Sequence, residues 1–219
     1  MLKKVTILSL LFIGLSLITI NSFAKVKAGP YFGVQAGTGG ADALDGDKFD
    51  GIKRSNYGFA GRFYGGYVLS GAKEDDFQYG VELGYSLYQK RNYTYTRESG
   101  EKSEFAYKGD YIDLLGFFRY EALAKWNIIG KVGFAYVNQK TEARGRDFNK
   151  GLEKNSNELL PKAALGLAYD ISDKCSIDLM LDYVFSKRPE ALSIRSKDEK
   201  AINKVAPINT VMLGVSYHI

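Results

Sequence analysis

Few residues in this 219-residue chain could make or break bonds, and their spacing limits each of them. The single histidine, His218, has Ser216 two positions before it and Ser176 on a separate segment. A serine hydrolase needs a histidine beside its serine and a third group to orient it. His218 stands one residue from the C-terminus and reads as a polar interior residue. One histidine and one cysteine, Cys175, cannot assemble the usual zinc sets. A lone cysteine also forbids an internal disulfide, and Cys175 reads as a small hydrophobe.

Asp42, Asp45, Asp47 and Asp50 invite a calcium reading. They lack the Asp-x-Asp-x-Asp-Gly spacing with a distal glutamate, and Lys48 sits among them, so a solvated loop is expected. Gly37-Thr38-Gly39-Gly40 matches no phosphate-loop spacing and reads as a strand exit. No catalytic, cofactor-binding or metal residue is assigned. Neither enzyme activity nor a cofactor is expected.

The other chemistry on offer is charge. Residues 187–205 carry Lys187, Arg188, Arg195, Lys197, Lys200 and Lys204 against Glu190, Asp198 and Glu199. Facing outward, such a stretch could engage anionic glycans or lipopolysaccharide phosphates, or simply lie solvated against its own membrane.

The elements that hold these residues begin with an export signal. Lys3 and Lys4 precede an uncharged apolar run from Val5 to Ile20, and Ser22 and Ala24 offer small residues for a cut. The run is short of the roughly 20 residues of a spanning helix. Residues 1–24 are expected to be a cleaved signal peptide, with a second cut possible after Ala28, and 25–219 a single domain. Losing Lys3 and Lys4 takes the charge from +5 to 28 − 25 = +3, too mild to argue for nucleic acid.

Tyrosine (16), phenylalanine (13) and glycine (24) outweigh proline (4), a balance that favours curved strands. Period-2 alternation marks eight segments near 30–38, 58–70, 76–90, 109–121, 127–140, 159–170, 174–186 and 206–219. In the third, Phe77, Tyr79, Val81, Leu83, Tyr85 and Leu87 share one face, with Gln78, Gly80, Glu82, Gly84 and Ser86 on the other. Connections after segments one, three, five and seven are about 18 to 20 residues long; those after two, four and six are short. A membrane barrel sorts its connections this way, short on the periplasmic side and long outside. Tyr93, Tyr95, Phe105 and Tyr107 suggest that the second long connection continues its strands.

Volume decides which face points in. An eight-stranded barrel is just wide enough for side chains to fill it. Phe59, Phe63, Tyr67, Phe77, Tyr79, Tyr85, Phe118, Tyr120, Phe134 and Tyr136 share the apolar face and would overfill that bore, so they belong outside. The inward face then holds Arg62, Glu82, Asp113, Arg119, Lys131, Lys162, Asp178 and Asp182, four positive and four negative groups. Buried charges persist when paired, so a salt-bridged plug is expected, with a narrow ion path lined by the same groups as the alternative.

At the C-terminus, Leu213-Gly214-Val215-Ser216-Tyr217-His218-Ile219 resembles the closing strand of outer membrane protein A-like and opacity-type barrels. Gly29-Pro30-Tyr31-Phe32-Gly33, Gly65-Gly66-Tyr67 and Glu82-Leu83-Gly84-Tyr85 resemble their first three strands. The resemblance implies an all-β, eight-stranded antiparallel up-and-down transmembrane barrel in the outer membrane of a Gram-negative cell. It implies an assembly signal at Gly214, Tyr217 and Ile219, read by the outer-membrane assembly machinery, with Ile219 where phenylalanine is usual. Met180 and Ala168 stand where such barrels often carry lumen charges. The chain ends at the eighth strand, so no periplasmic wall-binding domain is expected.

The functional expectation is a structural or surface-interaction, adhesin-like barrel displaying four long extracellular loops; alternatives are a small porin and, further off, a soluble lipocalin-like binder. Expected partners are membrane lipid, lipopolysaccharide, the assembly machinery and a surface or host ligand. Nucleic acid is not among them, and the barrel is expected to be a monomer.

Overall fold

A computed structural model describes residues 28–42, 52–54, 58–70, 77–96, 102–145, 148–186 and 205–219. The signal peptide, Asp45, Asp47, Asp50 and the six basic residues of 187–204 lie outside the described residues. The strands are β1 (Gly29–Ala41), β2 (Ile52–Arg54), β3 (Gly58–Ser70), β4 (Phe77–Thr96), β5 (Lys102–Leu123), β6 (Trp126–Gly145), β7 (Phe148–Asp170), β8 (Cys175–Val184) and β9 (Ile208–His218). Each pairs antiparallel with its neighbour, β1 closes on β9, and β4 joins β5, so eight strands form a complete ring. The three-residue β2 stands outside that ring and pairs only with the upper part of β4.

Closure leaves no open edge at membrane depth, which hydrocarbon requires because it satisfies no free N–H or C=O. β8 and β9 alternate between buried and exposed residues along almost their whole length. All ten rings assigned outward point outward, from 42% exposed at Phe118 to 62% at Phe63. Ring pairs mark both rims of this apolar band. Trp126–Tyr169 and Phe77–Phe118 lie on the periplasmic side and Tyr183–Phe185 on the extracellular side. The described periplasmic turns are tight: Lys125 takes a left-handed φ of 68°, and its N–H donates to Glu121.

The barrel is taller on one side. A crossing needs roughly 9–11 tilted residues. β1, β3, β8 and β9 have 13, 13, 10 and 11 residues, whereas β4 to β7 have 20, 22, 20 and 23. The second and third long connections are therefore mostly strand, and β6 and β7 pair from Trp126↔Tyr169 to Gly145↔Phe148. This corrects the expectation of a loop of about 18 residues between 141 and 158. Residues 141–158 are mostly polar and charged in sequence, so the stretch carries no apolar alternation to announce it. Gly37 to Gly40 likewise continue β1 instead of leaving it.

Candidate functional site: the lumen

Inward parity on six different strands brings the predicted charged residues into the bore, and all eight are buried. Six of them form one continuous chain. Lys131 Nζ lies 2.8 Å from Glu82, which also pairs with Arg62 Nη1 at 2.8 Å. Arg62 turns its Nη2 to Asp113 at 2.6 Å and adds a longer Nε bond at 3.4 Å, a two-point guanidinium–carboxylate contact. Lys162 Nζ then bridges Asp113 and Asp182, each at 2.8 Å. Aromatic faces flank the cations: Lys131 lies 5.0 Å from the Tyr64 ring centre and Lys162 4.8 Å from that of Tyr111.

Arg119 and Asp178 stand outside this chain. Arg119 pairs with Asp170, which also accepts from Ser176 Oγ at 2.6 Å and Asn127 Nδ2 at 3.0 Å. Asp178 has no ion pair among the described residues; it accepts from Gln35 Nε2 at 2.6 Å and Tyr64 OH at 3.1 Å. Asp170 is a fifth lumen carboxylate that the four-plus-four count lacks. Its signal was available, since it shares the inward parity of Lys162 on β7. Tyr31 and Tyr64 were also missed, although Tyr64 has the parity of Arg62, and Tyr31 donates to Glu82 at 2.7 Å.

Glycines make room for these groups. A Cβ on Gly84 would fall 2.4 Å from the Arg62 guanidinium, and one on Gly214 would fall 2.4 Å from Gln35 and 2.9 Å from the Asp178 carboxylate. Gly214, assigned to the assembly signal, thus also borders the network. Tyr217 and Ile219 face outward and are exposed.

Above the ionic layer the bore is filled chiefly by rings and aliphatic side chains, with Arg91, Gln139 and Thr141 buried among them. Tyr88, Tyr93, Tyr107 and Tyr111 pack with Val137, Leu160, Val184, Ile208 and Met212. Val205 and Ala206, just before β9, are wholly buried in this cluster. Gln139 fastens them, accepting from Ala206 N–H at 2.7 Å while donating to Tyr88 OH at 2.9 Å. Below the ionic layer a cavity of about 30 Å³ remains between Tyr31, Tyr64, Lys131, Asp178 and His218. That is space for a water or two, well short of an aqueous channel. Met180 and Ala168 form an apolar patch with Ile129 and Ala164 on the lumen wall.

The remaining candidates are scattered. His218 is buried at the periplasmic end and stacks on Tyr31 with ring centres 5.1 Å apart. Among the described residues no hydrogen bond joins it to Ser176 or Ser216, and Ser176 is spent on Asp170. Cys175 is partly exposed at the start of β8. Asp42 lies 3.6 Å from Arg91. Among the described residues no cluster of three or more potential ligands could hold a metal.

Comparison with solved structures finds barrels of similar fold. Outer membrane protein OprG from Pseudomonas aeruginosa is 17% identical, with a TM-score of 0.55 over 90% of this chain and 100% of that one. Ail, the attachment invasion locus protein of Yersinia pestis, is 13% identical, with a TM-score of 0.47 over 89% of this chain and 99% of that one. Neisserial surface protein A is 12% identical, with a TM-score of 0.47 over 88% and 99%. Among curated proteins no match in sequence is found. The model of the OmpA-like transmembrane domain matches residues 26–219. The chain therefore belongs to the OmpA-like transmembrane domain family, the β-barrels of the Gram-negative outer membrane.

Proposed function

We propose that this barrel neither conducts nor catalyses, and that it works as a rigid anchor for an extracellular interaction surface. The observation that carries the reading is the doubly closed bore: an ion-pair chain from Lys131 to Asp182, then an apolar layer sealed by Val205 and Ala206. Ions crossing it would have to separate buried, mutually satisfied charges and then pass a packed, largely apolar layer, each step costing several kcal/mol. Stability on the inside suits display on the outside. β4 to β7 lift a hydrogen-bonded sheet above the membrane, and the connection between β8 and β9 carries the basic residues Lys187, Arg188, Arg195, Lys197, Lys200 and Lys204.

The test is single-channel recording of refolded residues 25–219 in a planar bilayer, with folding verified by heat-dependent gel mobility. A silent bilayer is expected. Stable, salt-dependent steps would overturn the closed reading in favour of a small porin. Deleting 190–202 should in turn weaken adhesion of cells to an anionic matrix, and unchanged adhesion would remove that stretch from the interaction surface.

A further inference from the structure

Above the membrane the sheet has two edges, and they end differently. On one side β4 is covered, since β2 pairs with Tyr93 to Tyr95. On the other side β7 runs on without a neighbour among the described residues. β8 follows β7 only as far as Lys162↔Val184, and a last bond runs from Phe185 N–H to Pro161 O. β6 stays paired with β7 well beyond that point, to Leu152 and above. Successive residues of an antiparallel strand offer their N–H and C=O to alternate sides. Pro161 offers its carbonyl to the β8 side, so Glu153, Asn155, Asn157 and Leu159, which share its parity, point their backbone groups away from β6. Among the described residues no backbone bond reaches these groups, and all four residues are exposed.

The edge alternates donor with acceptor and repeats every two residues, roughly 7 Å. An extended polypeptide carries the matching array; a lipid or a glycan does not. The chain's own β8 is poorly placed to supply it. Ser186 Oγ donates to Val205 O, on the β9 side, and in the β8 register Pro189 would fall opposite Asn157 with no N–H to give. A second copy fits no better. Two copies joined through β7 in one membrane are related by a twofold axis along its normal, so strands tilted about 40° would cross at about 80° and share no ladder. A copy in a facing membrane would have to bring the bilayers within about 20 Å for residues 153–159 to pair. Beside the edge stand Asn155 and Asn157 on the outer face, with Glu153 engaged by Lys140, and Lys154, Ser156 and Glu158 on the other. A complementary strand is polar on both faces, with an acid opposite Lys154 and a base opposite Glu158.

We propose that the upper edge of β7, from Glu153 to Leu159, binds an extended polar segment of another polypeptide, which adds antiparallel as a further strand. This rests on the upper barrel serving as an interaction surface, and it names the partner's chemistry. It uses neither the bore nor residues 190–202, so a conducting barrel, or adhesion unchanged by that deletion, would leave it standing.

The probe is the end-capped heptapeptide Val-Lys-Thr-Thr-Thr-Glu-Thr, added to refolded residues 25–219 in micelles, with amide exchange followed by NMR. In the free barrel the amides of Asn155 and Asn157 should exchange fast, while those of Lys154, Ser156 and Glu158, directed to β6, are protected. With peptide at roughly tenfold its Kd, the two asparagine amides should slow about tenfold. Nα-methylation of the third and fifth peptide residues, which face β7, should abolish the effect; methylation of the fourth and sixth, which face away, should not. Asn155→Pro removes a donor on the edge without touching the β6 ladder, so it should keep the compact gel band and lose peptide binding. No slowing with the unmethylated peptide, equal slowing with both methylated ones, or undiminished binding to Asn155→Pro would overturn the proposal. So would Asn155 and Asn157 amides already protected in the free barrel, because the chain itself would then cover the edge.

Discussion

Strands β6 and β7 pass through two solvents within one unbroken ladder, and their two halves are built differently. Low on β6, the outward residues are Ile128, Val132, Phe134 and Tyr136, while Ile129, Lys131, Ala135 and Val137 are buried inside. At the next outward positions stand Asn138 and Lys140, opposite Asn157 and Asn155 of β7. The backbone register continues across this boundary without a break from Trp126 to Ala143. Pairing alone holds both halves as strand, and the side chains record which medium each face meets. In lipid the outer face must be apolar; in water both faces can be polar.

The largest difference lies in what each half cannot lose. Glu82 is buried and answers two cations, and Lys131 has its ion pair with Glu82 alone among the described residues. Glu82→Ala should destabilise the barrel by about 3–5 kcal/mol, because it strands a buried charge. The urea midpoint for loss of the compact gel band measures this, and adding Lys131→Met should recover part of the loss. A midpoint unchanged from wild type would mean that water already solvates the network and that the bore is open.

A second substitution separates the two halves on a single face of one strand. Val132 and Asn138 both point outward on β6. Val132→Arg puts a charge into hydrocarbon and should cost about 2–4 kcal/mol, whereas Asn138→Arg should cost no more than about 1 kcal/mol. Unfolding in lipid vesicles reads both, and equal costs would place the membrane boundary elsewhere on the strand.

The same division explains what could be read from sequence. The lipid-facing half announces itself because one face is apolar: Phe77 to Leu87 alternates cleanly, and ring volume alone turns the charged face inward. The hydrated half has no such contrast, so residues 141–158 read as loop, and the three-residue β2 is too short to register at all. Within the bore, parity reveals which residues face in, and Asp170 and Tyr64 were legible on that ground. Which charges meet is a different matter. Arg62 sits opposite Ser86 in the ladder yet bonds Glu82, and it reaches Asp113 two strands away. The stagger of the strands sets those partners, and stagger is fixed only when the ring closes.

The smallest expected effect belongs to the hydrated half. Above the apolar band, Glu142 accepts from Lys90 at 2.5 Å and from Lys108 at 3.2 Å, tying β4, β5 and β6 together. These two lysine hydrogen bonds, Lys90 first, pull its carboxyl from the ordinary 4.5 down to about 2. Because the folded value is depressed, the contribution to stability is fully present above about 4.5 and is lost as pH falls toward 2. The lysines are exposed to solvent, so the pair is worth no more than about 1 kcal/mol and should weaken with salt. Carbon-detected NMR titration of the Glu142 carboxyl in micelles should give a midpoint near 2 at low ionic strength. A midpoint at the ordinary value would mean that the lysines do not hold it, and that backbone pairing alone keeps these three strands together above the membrane.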